Sequence, residues 1–460
     1  MHSYDEATGA MARALAELCL ERLEMDAPLD ETLTPEQLLT TAGQTITAGG
    51  LGATEATRLW EEVLAPACLS VDHPRYLAFI PGAPSKAAAA FDMLVGASGI
   101  FGGSWLEASG AVYAENQALR WIADLAGLPV TAGGVFVQGG TNGNLSALVA
   151  ARSAAQHRRG GRPARWSVVV TYETHSSVKH ALESVMDVDV VEIPGDERGR
   201  LTGSAIRAWL ATADEGQRDG VFAVVATAGS TNLGVVDDLA GIAEVAREQG
   251  WWFHVDGAYG GAGLAAPTAR PLYAGIDQAD SFIVDPHKWL FAPFDCCALL
   301  YRDPAQARAA HTQKASYLDI LNADPGQVQW NPSDLAIQLS RRARGLPLWF
   351  SLAVNGTDAY RDAIEHTLAV ARAGRALIEE ADHLRLLVEP DLTVLVVERI
   401  GWSEADYAAW STSLAHSGTA FVTPTRHRGQ VCTRFAIVNP RTTIADLELV
   451  IDSMRESFAL

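Results

Sequence analysis

The sequence predicts an α/β fold in which a mostly parallel, seven-stranded sheet lies between two layers of helices. A helical arm precedes the sheet and a small α+β unit follows it. Three observations carry that prediction. Seven short runs between residues 133 and 302 are rich in Val, Ile, Phe and Ala and nearly free of charge. Helical stretches separate most of those runs. Of the 460 residues, 48% are hydrophobic and only 20% charged, the balance of a core-rich globular chain. Strands buried on both faces read as continuous apolar runs, and their alternation with helices is the pattern of parallel sheets.

In chain order, Met11, Leu15, Leu18, Leu20 and Leu23 are spaced for a helix over 5–25. Thr34-Pro35-Glu36-Gln37 is a helix start, with a capping hydroxyl, proline at the first helical position and a glutamine that reaches back. A third helix runs from Ala53 to Leu64. Amphipathic helices without a sheet need a surface to cover, and a partner subunit is the expected one. Residues 71–82 form an extended link, and a long helix spans Glu107 to Leu125. Strands are expected at 133–138, 167–171, 188–193, 222–227, 252–256, 281–285 and 297–302, with helices at 143–156 and at 238–249, the latter closed by Gly250. The stretch from His311 to Pro332, with Pro325, Gly326 and Trp330, breaks the rhythm as a long connection. Helices at 333–352 and 357–380 follow. Strands near 384–388, 393–398 and 431–438 then alternate with helices at 403–416 and 442–457. The expected units are an arm (1–75), a large α/β unit (76–354) and a small α+β unit (355–460).

A net charge of −20 argues against nucleic acid and anionic membranes as partners, since both attract basic patches. It suits a protein that acts on small molecules. The five cysteines are scattered and show no zinc spacing, which points to a reducing, cytoplasmic setting. The N-terminus has no signal-like apolar core and no run is long enough to span a membrane.

Ligands of parallel sheets bind at the carboxyl ends of the strands, and five clusters fall there. Gln138-Gly139-Gly140-Thr141-Asn142-Gly143-Asn144 opens a helix with glycines, free N–H groups and the side chains of Thr141 and Asn142, which together suit a phosphate. His175, after the 167–171 strand, offers a planar ring on which a flat ligand can stack. Residues 226–232, including Thr231, are small or hydroxylic and leave room for a ligand. Asp256 ends a buried strand, where a carboxylate needs a partner such as a protonated ring nitrogen. It shares a face with His254, but no third residue stands at metal spacing, so no metal is expected. Gly261-Ala262-Gly263-Leu264-Ala265-Ala266 satisfies a dinucleotide-binding pattern only loosely, because it follows no strand and Pro267 spoils the helix. Last come His287 and Lys288, after Asp285-Pro286 and before Trp289-Leu290-Phe291. Burial in that apolar setting is expected to lower the lysine's pKa and free its amine for a Schiff base. A phosphate site, a stacking ring, a carboxylate and an amine are the four handles of pyridoxal 5′-phosphate.

Over about residues 70–400 the chain resembles the group II pyridoxal-phosphate amino-acid decarboxylases, which include aromatic-L-amino-acid and glutamate decarboxylases. The resemblance rests on His73-Pro74-Arg75-Tyr76, Gln138-Gly139-Gly140, His175-Ser176-Ser177-Val178, His254-Val255-Asp256-Gly257-Ala258-Tyr259 and Asp285-Pro286-His287-Lys288-Trp289. It extends to Phe294-Asp295-Cys296 and Leu339-Ser340-Arg341-Arg342-Ala343-Arg344. It implies a fold type I, aminotransferase-like homodimer with active sites at the subunit interface. It implies Lys288 as the Schiff-base lysine and Asp256 as the partner of the pyridine nitrogen. It places His175 and Ala258 against the ring, Thr141 and Asn142 on the phosphate, and His287 beside the aldimine. The implied reaction is decarboxylation of an L-amino acid through an external aldimine. The chain departs from the aromatic decarboxylases at two positions. Their loop tyrosine maps near Pro332, beside Trp330 and well after Tyr317, and Gly82 stands where animal enzymes have threonine. The second departure bears on the substrate. The first leaves two outcomes open: an amine, or an aldehyde formed when the carbanion meets oxygen. A non-catalytic, cofactor-binding dimer is a third reading, against which the intact Lys288 and Asp256 stand.

Overall fold

The structure is a computed structural model that describes residues 2–316 and 330–455. Its main sheet contains β1 (Gly133–Val137), β2 (Ser167–Thr171), β3 (Asp189–Ile193), β4 (Val221–Thr227), β5 (Trp252–Asp256), β6 (Ser281–Val284) and β7 (Cys297–Tyr301). Their order is β1-β7-β6-β5-β4-β2-β3. β7 is antiparallel to both neighbours and every other pair is parallel. β1 to β6 therefore all point the same way, and their carboxyl ends share one edge.

Alternation along each strand divides the core into two layers. Val135 and Val137 of β1 pack in one with Leu148 and Ala151 of the Gly140–Arg159 helix. Phe136 packs in the other with Leu119 and Ile122 of the Trp105–Leu125 helix. β5 divides likewise: Trp252 faces the first layer, and Phe253 and Val255 the second. Each fully buried Val, Ile, Leu or Phe contributes about 1.5–3 kcal/mol, so slipping one strand by a single residue would exchange its two faces and forfeit several such terms.

A second sheet, β8 (Leu384–Leu386), β9 (Val394–Arg399), β10 (Pro424–His427) and β11 (Gln430–Ala436), is antiparallel in the order β10-β11-β9-β8. β10 was not expected, because it begins with proline and has no buried side chain. A two-residue turn makes it: Arg428 and Gly429 both have positive φ, 49° and 82°, the geometry that joins tight hairpins. The 71–82 link runs along this sheet, where Leu77 N donates to Phe421 O and Ala436 N to Leu77 O.

The helix expected over 333–352 starts only at Leu346, within Leu346–Glu380, and breaks at Gly356. Before it lie a short turn, Pro332–Asp334, and irregular chain. Three arginines explain this. Arg341 is buried in a bidentate pair with Glu115 (2.8 and 2.9 Å), Arg342 reaches Asp92, and Arg344 reaches Asp295. Three carboxylates on separate elements pull the backbone out of a helical path. Tyr317 and most of the connection that contains it lie outside the described residues.

The N-terminal helices are Glu6–Glu24, Pro35–Ala42 with the full capping box of Thr34 and Gln37, and Ala53–Leu59, which runs on through Trp60–Leu64. Met11, Leu15, Leu20, Leu39 and Trp60 are exposed on them. Among the described residues no helix is long and apolar enough to cross a membrane.

Candidate active site

A cavity of about 240 Å³ opens at the carboxyl edge of the main sheet. Thr227 closes β4 and Asp256 closes β5, and the two pair in register. β6 ends at Val284, and Asp285 leads into the turn Pro286–Trp289 that carries His287 and Lys288. Trp289 fixes this turn: it is fully buried, stacks on Tyr259 at 5.4 Å and donates to Thr367 Oγ1 at 2.9 Å. Lys288, His287, Asp256, His175, Ala258, Thr141 and Thr231 all line the cavity. Asn142 does not. Its amide donates to Gln138 Oε1 at 2.6 Å, and Asn144 lines the cavity instead.

The expected lowering of the Lys288 pKa is corrected. Burial does pull it down and is the largest single influence, but the Asp285 carboxylate, 2.9 Å from Nζ, outweighs it with help from Asp256. The net shift is upward, so the amine rests as an ammonium. Asp285 is itself held below the usual carboxylate range: burial raises it, and Lys288 and His287 together lower it further. The sequence showed Asp285 only as a strand stop. Its nearness to a strand-end lysine three residues on was the available signal. His287 Nδ1 accepts from Cys296 N at 3.0 Å, and Nε2 lies 3.6 Å from Asp285. Burial lowers its pKa, leaving a neutral ring whose proton is on Nε2.

Asp256 is 4% exposed. Its Oδ1 accepts from Ala258 N at 3.0 Å and its Oδ2 from Asn144 Nδ2 at 2.8 Å. His254 does not face a metal with a free nitrogen, since Asn144 and Ser281 engage both ring atoms. His175 Nδ1 accepts from Ser177 N at 3.2 Å and meets Ser177 Oγ at 2.7 Å. The Gly261–Ala266 run is packing: a Cβ at Gly263 would lie 2.4 Å from the Tyr273 hydroxyl.

One residue of the 226–232 run and one that sequence reasoning missed stand out. Thr227 Oγ1 is buried in the cavity wall without a hydrogen-bond partner among the described residues. Arg434 is 6% exposed, donates to Phe79 O at 2.7 Å and has no carboxylate partner among the described residues. A buried cation left unpaired is costly, yet nothing in a strand-borne arginine announces it from sequence. The departure at Gly82 has a steric cause: a Cβ there would stand 2.1 Å from His287 O, so threonine cannot occupy this backbone.

The cavity fits pyridoxal phosphate. The Gly140–Arg159 helix begins there after Gly139 with no side-chain cap, so its first N–H groups are free for an anion. Thr227 Oγ1 awaits a polar partner. A Cβ at Gly140 would reach within 3.2 Å of Asp285 and 3.3 Å of Ala258, filling space that a flat ring needs.

Comparison with known proteins agrees. Residues 54–400 match the pyridoxal-dependent decarboxylase conserved domain. The chain is 29% identical over 433 residues to an aromatic-L-amino-acid decarboxylase of Bacillus atrophaeus, covering 91% of this chain and 88% of that one. It is 31% identical over 399 residues to an L-2,4-diaminobutyrate decarboxylase of Rhizobium meliloti, covering 84% and 78%. Its fold superposes on the crystal structure of Oryza sativa TDC with PLP and tryptamine at a TM-score of 0.89, with 23% identity over 99% of each chain. A fold type I sheet, a lysine and a carboxylate meeting at its carboxyl edge, and a match over most of the sequence place this chain in the pyridoxal-dependent decarboxylase family, as a pyridoxal phosphate-dependent amino-acid decarboxylase.

Proposed function

We propose that the chain decarboxylates an L-amino acid with an aromatic side chain to carbon dioxide and the amine. The observation that carries the substrate class is Phe294, 56% exposed with its ring 4.8 Å from that of His287 at the cavity. Phe79, also exposed and tied through its carbonyl to Arg434, supports it. A flat apolar side chain stacks favourably on such rings. When bound, pyridoxal phosphate supplies an aldehyde for a primary amine and a ring that accepts the electron pair left by the departing carboxyl group.

The residues divide the remaining work. Lys288 would provide the anchoring amine, with Asp285 beside it to pair with its ammonium. Asp256 would hold a proton on the ring nitrogen. His175 and Ala258 offer a planar ring and a small methyl to a flat ligand. Thr141 and the bare helix start hold the phosphate, with Thr231 adding a hydroxyl. Arg434, buried and without a carboxylate, suits the substrate's own carboxylate. Supply of each L-amino acid, with carbon dioxide, amine, aldehyde and peroxide measured together, tests the proposal. Equal yields of amine and carbon dioxide from aromatic substrates are expected. Preference for diaminobutyrate sinks the substrate class, aldehyde with peroxide makes the chain an aldehyde synthase, and full cofactor loading without turnover makes it a binding protein.

The proposal includes a homodimer in a cytoplasmic, reducing setting, with the active site at the subunit interface. The exposed apolar side chains of the N-terminal helices and five unpaired cysteines support it. Sedimentation at micromolar concentration would give the mass of two chains, and a single-chain mass would reject it.

A further inference from the structure

Under the helix that opens the cavity runs a line of buried polar side chains, of which the reaction described above uses only Asp256. Trp252, His254 and Asp256 lie at every second position of β5 and so share one face. Ser281 of β6 is in register with His254 on the same face. Asn144, on the first turns of the Gly140–Arg159 helix, covers them. All five are 4% exposed or less.

Their contacts form an unbroken chain: Trp252 Nε1 to Ser281 Oγ (2.8 Å), Ser281 Oγ to His254 Nδ1 (2.7 Å), His254 Nε2 to Asn144 Oδ1 (2.8 Å) and Asn144 Nδ2 to Asp256 Oδ2 (2.8 Å). Its direction is fixed at the Asp256 end, where Asn144 Nδ2 donates to the carboxylate and leaves Oδ1, which can only accept, facing His254 Nε2. The imidazole therefore carries a hydrogen on Nε2 and donates it to Asn144 Oδ1. In a neutral ring Nδ1 is then an acceptor, so the Ser281 hydroxyl donates to it while Ser281 Oγ accepts from Trp252. Burial pushes the His254 pKa down to about 4 against the pull of Asp256, so the ring is neutral and has one hydrogen to give. The charged groups nearby are Asp256 and Lys288.

We infer that Ser281, His254 and Asn144 are positioning residues that turn one Asp256 oxygen to the helix and aim the carboxylate at the ring nitrogen of the cofactor. The inference rests on the proposed role of Asp256. A linked chain of donors, each polarised by the one before, holds the carboxylate more firmly than a single bond.

Two measurements test it. In the cofactor-free protein, nitrogen NMR of His254, assigned by its loss in His254→Gln, is expected to show a neutral ring protonated on Nε2 between pH 6 and 8. A cation or the opposite tautomer overturns the inference whatever the cofactor does. In the loaded protein, the ring nitrogen of isotope-labelled pyridoxal phosphate is expected to be protonated. Asn144→Leu should make it lose that proton at lower pH and cut kcat about tenfold with KM within about twofold. Ser281→Ala, a milder change that leaves the fold little strained, should shift it the same way by less. A protonated ring nitrogen in the parent that neither variant moves overturns the relay. A neutral ring nitrogen in the parent overturns the role of Asp256 and the inference with it.

Discussion

Lys288→Ala is expected to lose the visible absorbance of covalently held cofactor and at least about a thousandfold in turnover, because among the described residues no other amine lines the cavity. An absorption spectrum and a carbon dioxide assay check it; parent-like values for both would remove Lys288 from the reaction. The same spectrum reports how fast the cofactor-free protein captures pyridoxal phosphate. Only the neutral amine adds to an aldehyde, and Asp285 holds Lys288 charged. Capture is therefore slow at neutral pH and accelerates as pH rises. Asp285→Asn leaves burial, the largest influence on Lys288, opposed only by weaker neighbours. The lysine pKa then falls, and each unit raises the neutral fraction about tenfold. Capture at pH 7.5 should therefore be faster than in the parent. An unchanged rate and pH profile in Asp285→Asn would show that the ion pair does not govern loading.

Asp256→Ala is expected to lower kcat by roughly a thousandfold while weakening cofactor affinity far less. A preorganised charge that stabilises the transition state is worth about 10²–10³ in rate, and here it also keeps the ring able to accept electrons. Asp256→Asn keeps the shape and loses the charge, so it should fall nearly as far. Rapid-mixing kinetics beside equilibrium titration of the cofactor separate the two effects. If either variant retained the parent's kcat, the carboxylate would have no part in the electron sink.

Most strands of the main sheet were legible because they are buried on both faces, which removes charge from the run and leaves Val, Ile and Phe; the edge strand β3, with Asp189 and Glu192 exposed, is the exception. The strand-end positions of Asp256, His287 and Lys288 followed from the same runs. β10 was not legible, since an exposed edge strand carries no apolar pattern and its hairpin rests on two positive-φ residues. The segment before Leu346 read as helix because its arginines could not reveal which carboxylates they would meet. Asn142 and Asn144 are two residues apart in one glycine-rich run, and only the rotation of the helix about its axis places the second in the cavity.

By itself the sequence determined which chemical groups this protein owns and on which strand ends they stand, because burial and alternation are local consequences of residue type. The tertiary structure decided their charge states. Burial in an apolar turn pulls the Lys288 pKa down, but Asp285, folded to 2.9 Å from it, turns the net shift upward. His254 and Asp256 share a face by alternation. Asn144, brought from more than a hundred residues away, connects them and orients the carboxylate. Coulomb energies and hydrogen bonds depend on distance and angle across the fold, and spacing along the chain does not contain them.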